Sequence, residues 1–143
     1  MSPENTKKLY DAFPRLYRGR VKSLEESSMA WGFMCGDGWF PLIWALSREI
    51  ERVARREGRD PVSDDWPEAM QVKEKIGSLR FHLHPRTRSP RMRTLVEAAR
   101  AASEDTCEEC GKPGVTVQQG WPQSRCQEHA NAAIHRTPGT DRR

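Results

Sequence analysis

Apolar and polar positions along this chain follow two distinct rhythms, and each predicts an element. From Trp39 onward, Trp39, Leu42, Ile43, Leu46, Ile50 and Val53 recur every three or four residues, while Arg48, Glu49, Arg52, Arg55 and Arg56 fall mostly off that face. This is the period of an amphipathic helix, with Pro41 tolerated in its first turn and Gly58 as its stop. Leu79, Phe81 and Leu83 instead alternate strictly with Arg80, His82 and His84, the period of a half-buried strand. Residues Met70 to Lys75 read as its partner, joined through Ile76, Gly77 and Ser78 in a β-hairpin. Two strands alone are marginal, so the hairpin's apolar face is expected to pack on the long helix.

Shorter signals fill in the rest. Leu9, Tyr10 and Phe13 predict a helix over residues 3–13, stopped by Pro14. Ser23 and Glu26 form a capping-box signature, predicting a helix from Leu24 to Trp31 that Gly32 ends. Ser89 followed by Pro90 is a helix start, and Met92, Leu95, Val96 and Ala99 carry that helix to about Glu104. Between these lie a basic connector (Arg15, Arg18, Arg20, Lys22), a glycine turn (Cys35 to Gly38), an acidic loop (Asp60 to Glu68) and a mobile basic loop (Pro85 to Ser89). Trp31, Phe33, Trp39, Phe40 and Trp44 crowd around the start of the long helix, a density that favours core packing over a ligand pocket.

Composition bounds the answer. At 143 residues the chain suits one domain, or one domain with a small appendage. Hydrophobic residues make up 36% and charged ones 31%, so the core must be small and rich in the five Trp and four Phe. A metal staple would be a natural supplement. No stretch approaches the roughly 20 apolar residues of a membrane helix, and the N-terminal residues lack a signal-peptide pattern, so the expected location is the cytoplasm, with no membrane contact. The net charge of +4 favours anionic partners only mildly, but its distribution is uneven. Arg80, Arg86, Arg88, Arg91 and Arg93 fall in a run without a single acid, whereas Asp60, Asp64, Asp65 and Glu68 fall in one without a base. The surface is expected to be polarised by sign.

The cysteines carry the chemistry. Cys107 and Cys110, then Cys126 and His129, form two pairs with two residues inside each pair and fifteen between the pairs. Zinc takes four N or S ligands tetrahedrally, and an intervening hairpin would bring two such pairs together. Gly111 suits a knuckle, and the alanine-rich run Gln127 to His135 reads as a helix. Knuckle, hairpin and ligand-bearing helix follow the order of a treble clef. The donor set predicts structural Zn2+, since three thiolates and a histidine leave no open position for water. A redox CxxC and an absence of metal remain alternatives, and His135 competes with His129 as fourth ligand. The predicted fold class is therefore α+β: a helical domain with a β-hairpin over residues 1–104, a treble-clef-like zinc module over 105–136 and a disordered tail over 137–143.

Other candidates are weaker. Cys35 reads as a small buried residue beside a turn rather than a reactive thiol. His82 and His84 share a strand face with Arg80, without a third metal ligand nearby. Arg80, Arg86, Arg88, Arg91 and Arg93 are the candidate nucleic-acid or partner-binding residues, and Trp121 in the predicted zinc-module hairpin is a candidate interface anchor.

Three motifs in order, Met29 to Phe40, Val72 to Phe81, and Cys107 to His129, together resemble small, largely uncharacterised proteins encoded by phages and prophages of proteobacteria. The likeness spans roughly residues 13–130. The middle motif departs from the family's pattern, which usually has an aromatic where Ile76 stands and Gly where Ser78 stands. The resemblance implies a phage accessory protein in the host cytoplasm, without catalytic residues or a small-molecule substrate, whose partner is a host protein or nucleoprotein complex. Inhibition of a host defence system such as a CRISPR complex follows by analogy only. A DNA- or RNA-binding regulator is the alternative, and a treble-clef nuclease of the HNH kind is a third reading, one that needs a catalytic histidine which residues 111–125 lack.

Overall fold

The computed structural model describes residues 1–118 and 120–134, the side chains of the last two excepted. The elements are α1 (Pro3–Ala12), β1 (Phe33–Met34), α2 (Phe40–Arg56), β2 (Ala69–Lys75), β3 (Ser78–Leu83), α3 (Pro90–Glu104), β4 (Val115–Val117), β5 (Gln123–Arg125) and α4 (Gln127–Ile134), a mixed α+β arrangement. The expected tail over 137–143 lies outside the described residues. No helix among the described residues is long and apolar enough to cross a membrane.

Each long element has a local cause. The Ser2 hydroxyl accepts the Asn5 amide to start α1, and Ser89 does the same for Met92 in α3, each followed by Pro in the first turn. In α2 the predicted stripe buries Ile43, Leu46 and Ile50, and Ser47 on the same side takes a 2.6 Å hydrogen bond from the Tyr17 hydroxyl. One buried cluster joins these residues to Val72, Leu79, Phe81 and Leu83 of the sheet and to Met92 and Ala99 of α3. Each fully buried side chain of this size contributes on the order of 1.5–3 kcal/mol.

The sheet has three strands in the order β1-β2-β3, not two. β1 pairs parallel with β2, Phe33 opposite Val72 and Met34 opposite Lys73. A two-residue strand has no room for an alternation that a sequence pattern could reveal. β2 and β3 form the expected hairpin, with Val72 opposite Phe81, Lys73 opposite Arg80 and Lys75 opposite Ser78. Its tip is Ile76 and Gly77, at φ 54° and 74°, the signature of a type I′ turn.

Two expectations fail in the first third of the chain. The helix predicted over Leu24 to Trp31 is instead a turn followed by a 3-10 segment, Ser28–Trp31. The capping pair does form, the Ser23 amide and hydroxyl both donating to Glu26, but Ser27 is buried and caps Met29 itself. Trp31 consequently leaves the core and is 67% exposed, whereas Phe33 and Trp39 are buried and Phe40 and Trp44 pack against the core. Trp66, outside the predicted cluster, is fully buried.

The charged loops are more tied down than their composition suggests. Arg18 donates to the carbonyls of Arg15, Trp66 and Pro67 and pairs with buried Glu68 at 3.4 Å, while Lys22 reaches the same carboxylate at 2.7 Å. The basic connector and the acidic loop thus neutralise one another locally. The basic loop expected to be mobile is pinned through buried Thr87, whose hydroxyl accepts the Glu68 amide and whose carbonyl accepts from Arg59.

Ile76 bears a β-branched side chain at positive φ, a conformation that costs such residues about 1–2 kcal/mol and that Asn adopts readily in this turn. Ile76→Asn is therefore expected to stabilise the fold by about 1 kcal/mol, read as a rise of a few degrees in melting temperature. A lower melting temperature would mean that contacts of the Ile76 side chain outweigh the strain.

Candidate metal centre and basic face

Cys107 and Cys110 sit in a tight knuckle after α3. The Gly111 amide returns to the Cys107 carbonyl at 2.8 Å, and the Cys107 amide donates to the Lys112 carbonyl at 2.8 Å. β4 and β5 then form a short hairpin, Val115 opposite Arg125, that delivers Cys126 to the start of α4. His129 follows one turn on. The ligand atoms of Cys107, Cys110, Cys126 and His129 all lie within 4.8 Å of one another, close enough to hold a metal ion. His129 presents Nδ1 at 3.5 Å from the Cys107 sulfur and 3.2 Å from that of Cys126, and the Cys110 and Cys126 sulfurs are 3.7 Å apart. The rival ligand His135 lies outside the described residues.

The local backbone suits thiolates. Burial would raise the Cys107 thiol, but amides of Cys126, Cys110 and Glu109 directed at it win and bring it down to about 6. The amide of His129, in the first turn of α4, is the main influence lowering Cys126.

The cysteine knuckle is docked on the glycine turn that precedes α2. The Gly38 amide donates to the Glu108 carbonyl at 2.7 Å, the Gly36 amide to the Glu108 carboxylate at 2.9 Å, and the Trp39 indole to the Thr106 carbonyl at 2.9 Å. The approach is too close for a side chain on the turn. A Cβ on Gly38 would lie 2.2 Å from the Cys107 carbonyl oxygen, and one on Gly36 2.4 Å from that of Glu108. Glu108 is buried and its carboxylate also meets Arg125 of β5 at 3.2 Å. Burial, the largest influence, holds the Glu108 carboxyl above its ordinary range, opposed by the Gly36 amide and Arg125. At the other side of the module, Ser124 donates to the Glu104 and Thr106 carbonyls, and the hairpin tip at Gly77 abuts Thr116 and Gln123.

Cys35 is buried, and burial pushes its thiol up to about 12, which leaves it protonated and unreactive at neutral pH. Of the arginines singled out by the sequence, Arg80 is half-buried and Arg86, Arg88, Arg91 and Arg93 are exposed, and none of the five has an acidic partner among the described residues. Arg80 lies beside Lys73 in the register of β2 and β3. Burial lowers His82 from its ordinary range, and Lys73, Arg80, Lys75 and Arg88 lower it further, so one basic field covers the outer face of the hairpin. His84 accepts the Arg86 amide on its Nδ1 instead of facing a metal. Trp121 is 65% exposed between β4 and β5.

Lys73 and Lys75 were missed in the sequence because they belong to the other strand. Pairing β2 with β3 by register would have found them. Glu108, Gly36 and Gly38 were missed as a docking contact because their positions are 70 or more residues apart.

No protein-family model, curated protein or solved structure matches this chain. The class that fold and site define is a mixed α+β protein with a Cys3His cluster able to hold a metal ion.

Gly38→Ala is expected to separate the knuckle from the turn and to lower stability by about 1–3 kcal/mol, the range for overpacked sites. Urea denaturation with zinc supplied measures this. An unchanged midpoint would show that the contact does not constrain the fold.

Proposed function

We propose that this chain is a non-enzymatic, zinc-stapled binding protein whose basic face on β2, β3 and the turn into α3 engages an anionic macromolecular partner. The observation that carries this reading is the set Arg80, Arg86, Arg88, Arg91 and Arg93, with Lys73 beside Arg80 and no acidic partner for any of the five arginines among the described residues. Arg80, Arg88 and Arg93 border one groove without an acidic partner, and such unneutralised charge favours a partner of opposite sign.

Zinc is the metal that suits the donors. Bonds of about 2.3 Å to sulfur and about 2.0 Å to nitrogen in a tetrahedron place ligand atoms about 3.5–3.8 Å apart. Three of the six separations within the cluster, 3.2, 3.5 and 3.7 Å, are close to those edges, and all six lie within 4.8 Å. Knuckle, hairpin and helix run in treble-clef order. Four protein donors complete a tetrahedron, which supports a structural rather than a catalytic ion. The ion would hold the β4–β5 hairpin against Glu108 and, through it, the turn before α2.

A host protein or nucleoprotein complex is the partner class we favour, with counter-defence as the particular form that the likeness to phage accessory proteins suggests. Direct DNA or RNA binding is the second reading, supported by the same arginines.

Two measurements follow. Native mass spectrometry should find one zinc per chain, lost in Cys107→Ser together with order in residues 105–134; a variant that keeps both would defeat the metal assignment. Affinity capture from cells, with mass spectrometry and nucleic-acid recovery, should return a specific partner that Arg86→Glu combined with Arg91→Glu releases. Recovered nucleic acid with binding that falls steeply with salt selects the second reading, and no partner of either kind would overturn the proposal.

A further inference from the structure

The basic face ends in a groove. Between β3 and α3 lies a space of about 690 Å³, bordered by Arg80 and His82 on the strand and by Arg88, Arg93, Glu97 and Arg100 at and along the helix. This is within the range of pockets that take ligands. β3 is an edge strand, so one side of its backbone is without a strand partner. Alternate residues of an antiparallel strand direct their amide and carbonyl groups to opposite sides. The two-residue turn makes Lys75 and Ser78 a hydrogen-bonded pair, which turns the backbone of Arg80 and His82 toward β2. Leu79, Phe81 and Leu83 then face the free edge. The Leu79 amide confirms the sense, since it donates to Ser103 of α3 at 2.8 Å across that edge. Beyond this one cap, the amides of Phe81 and Leu83 have no acceptor among the described residues.

We propose that this groove receives an extended acidic segment of a partner protein, which pairs with β3 as a fourth strand while its carboxylates meet Arg80, Arg88 and Arg93. The inference rests on the binding-protein reading above and names its partner's chemistry. A peptide backbone is suited to the edge because it supplies both acceptors for the amides of Phe81 and Leu83 and donors for the carbonyls of Leu79 and Phe81. A phosphodiester backbone has no donor to give those carbonyls. A second copy of this chain would oppose one arginine row to another across the new pair, which like charges disfavour. Acidic residues are selected by the same row: Glu97 approaches Arg100 at 3.9 Å, and Arg80, Arg88 and Arg93 are left without an acid. The Nε of Arg80 is moreover buried with no acceptor, a cost that a bound carboxylate would relieve.

The test uses the full-length, zinc-loaded protein and a fluorescein-labelled peptide in which valine alternates with glutamate. Anisotropy should report binding that weakens at least tenfold when the edge-facing amides of the peptide are N-methylated, and at least tenfold in Arg93→Glu, an exposed position whose fold is checked by circular dichroism. Hydrogen exchange should slow at the amides of Phe81 and Leu83. Absence of binding, equal binding of the N-methylated peptide, unprotected amides or self-association through β3 would each overturn the inference. A single-stranded oligonucleotide of random sequence is titrated in parallel. If it binds through Arg93 and the peptide does not, strand addition falls while the anionic-partner reading survives; if neither binds and cell capture also returns nothing, both fall.

Discussion

Glu108 is the residue on which the two halves of this molecule meet. It stands inside the knuckle between Cys107 and Cys110, yet its carbonyl accepts the Gly38 amide, its carboxylate accepts the Gly36 amide and the Arg125 guanidinium, and its own amide donates to Ser124. A buried carboxylate is costly unless its oxygens are satisfied, and here both are. The contact requires bare backbone on the opposing turn, which Gly36 and Gly38 provide. Trp39 completes it, fully buried and donating from its indole to the Thr106 carbonyl. The cysteine cluster and the first turn of α2 are thereby parts of one assembly.

The same docking explains why the basic hairpin is held in place. Ser103, near the end of α3, caps the Leu79 amide of β3, while Ser124 of β5 ties the Glu104 and Thr106 carbonyls to the β4–β5 hairpin. The tip of the β2–β3 hairpin rests against β4 and β5. The short sheet gains rigidity from three sides: the core beneath it, the Ser103 cap of α3 on Leu79 and the β4–β5 hairpin at its tip. Rigidity of this kind lowers the conformational cost of binding, which is the use we assign to it.

How much was legible follows from periodicity. The course of α2, the start of α3 and the alternation of β3 could be read because each has enough residues for its hydrophobic period to repeat, and the observed bounds differ from expectation by a residue or two. The four members of the cysteine cluster were legible from spacing alone. β1, at two residues, was too short to show any period. The segment from Leu24 to Trp31 misled because a capping pair fixes only a turn; continuing a helix needs an apolar stripe, and the Ser27 hydroxyl accepts the Met29 amide instead. The role of Glu108 was hidden for another reason: within a cysteine motif it reads as a spacer, and only the fold reveals its partners.

Through Glu108, Gly36 and Gly38 the cysteine knuckle and the body of the protein are coupled into one cooperative unit. Hydrogen exchange measured with zinc supplied and again after chelation tests it directly. Removing the metal is expected to expose the amides of Gly36 and Gly38 and, through Ser103, that of Leu79, along with those of the knuckle itself. Faster exchange confined to residues 105–134, with Gly36, Gly38 and Leu79 unchanged, would contradict it.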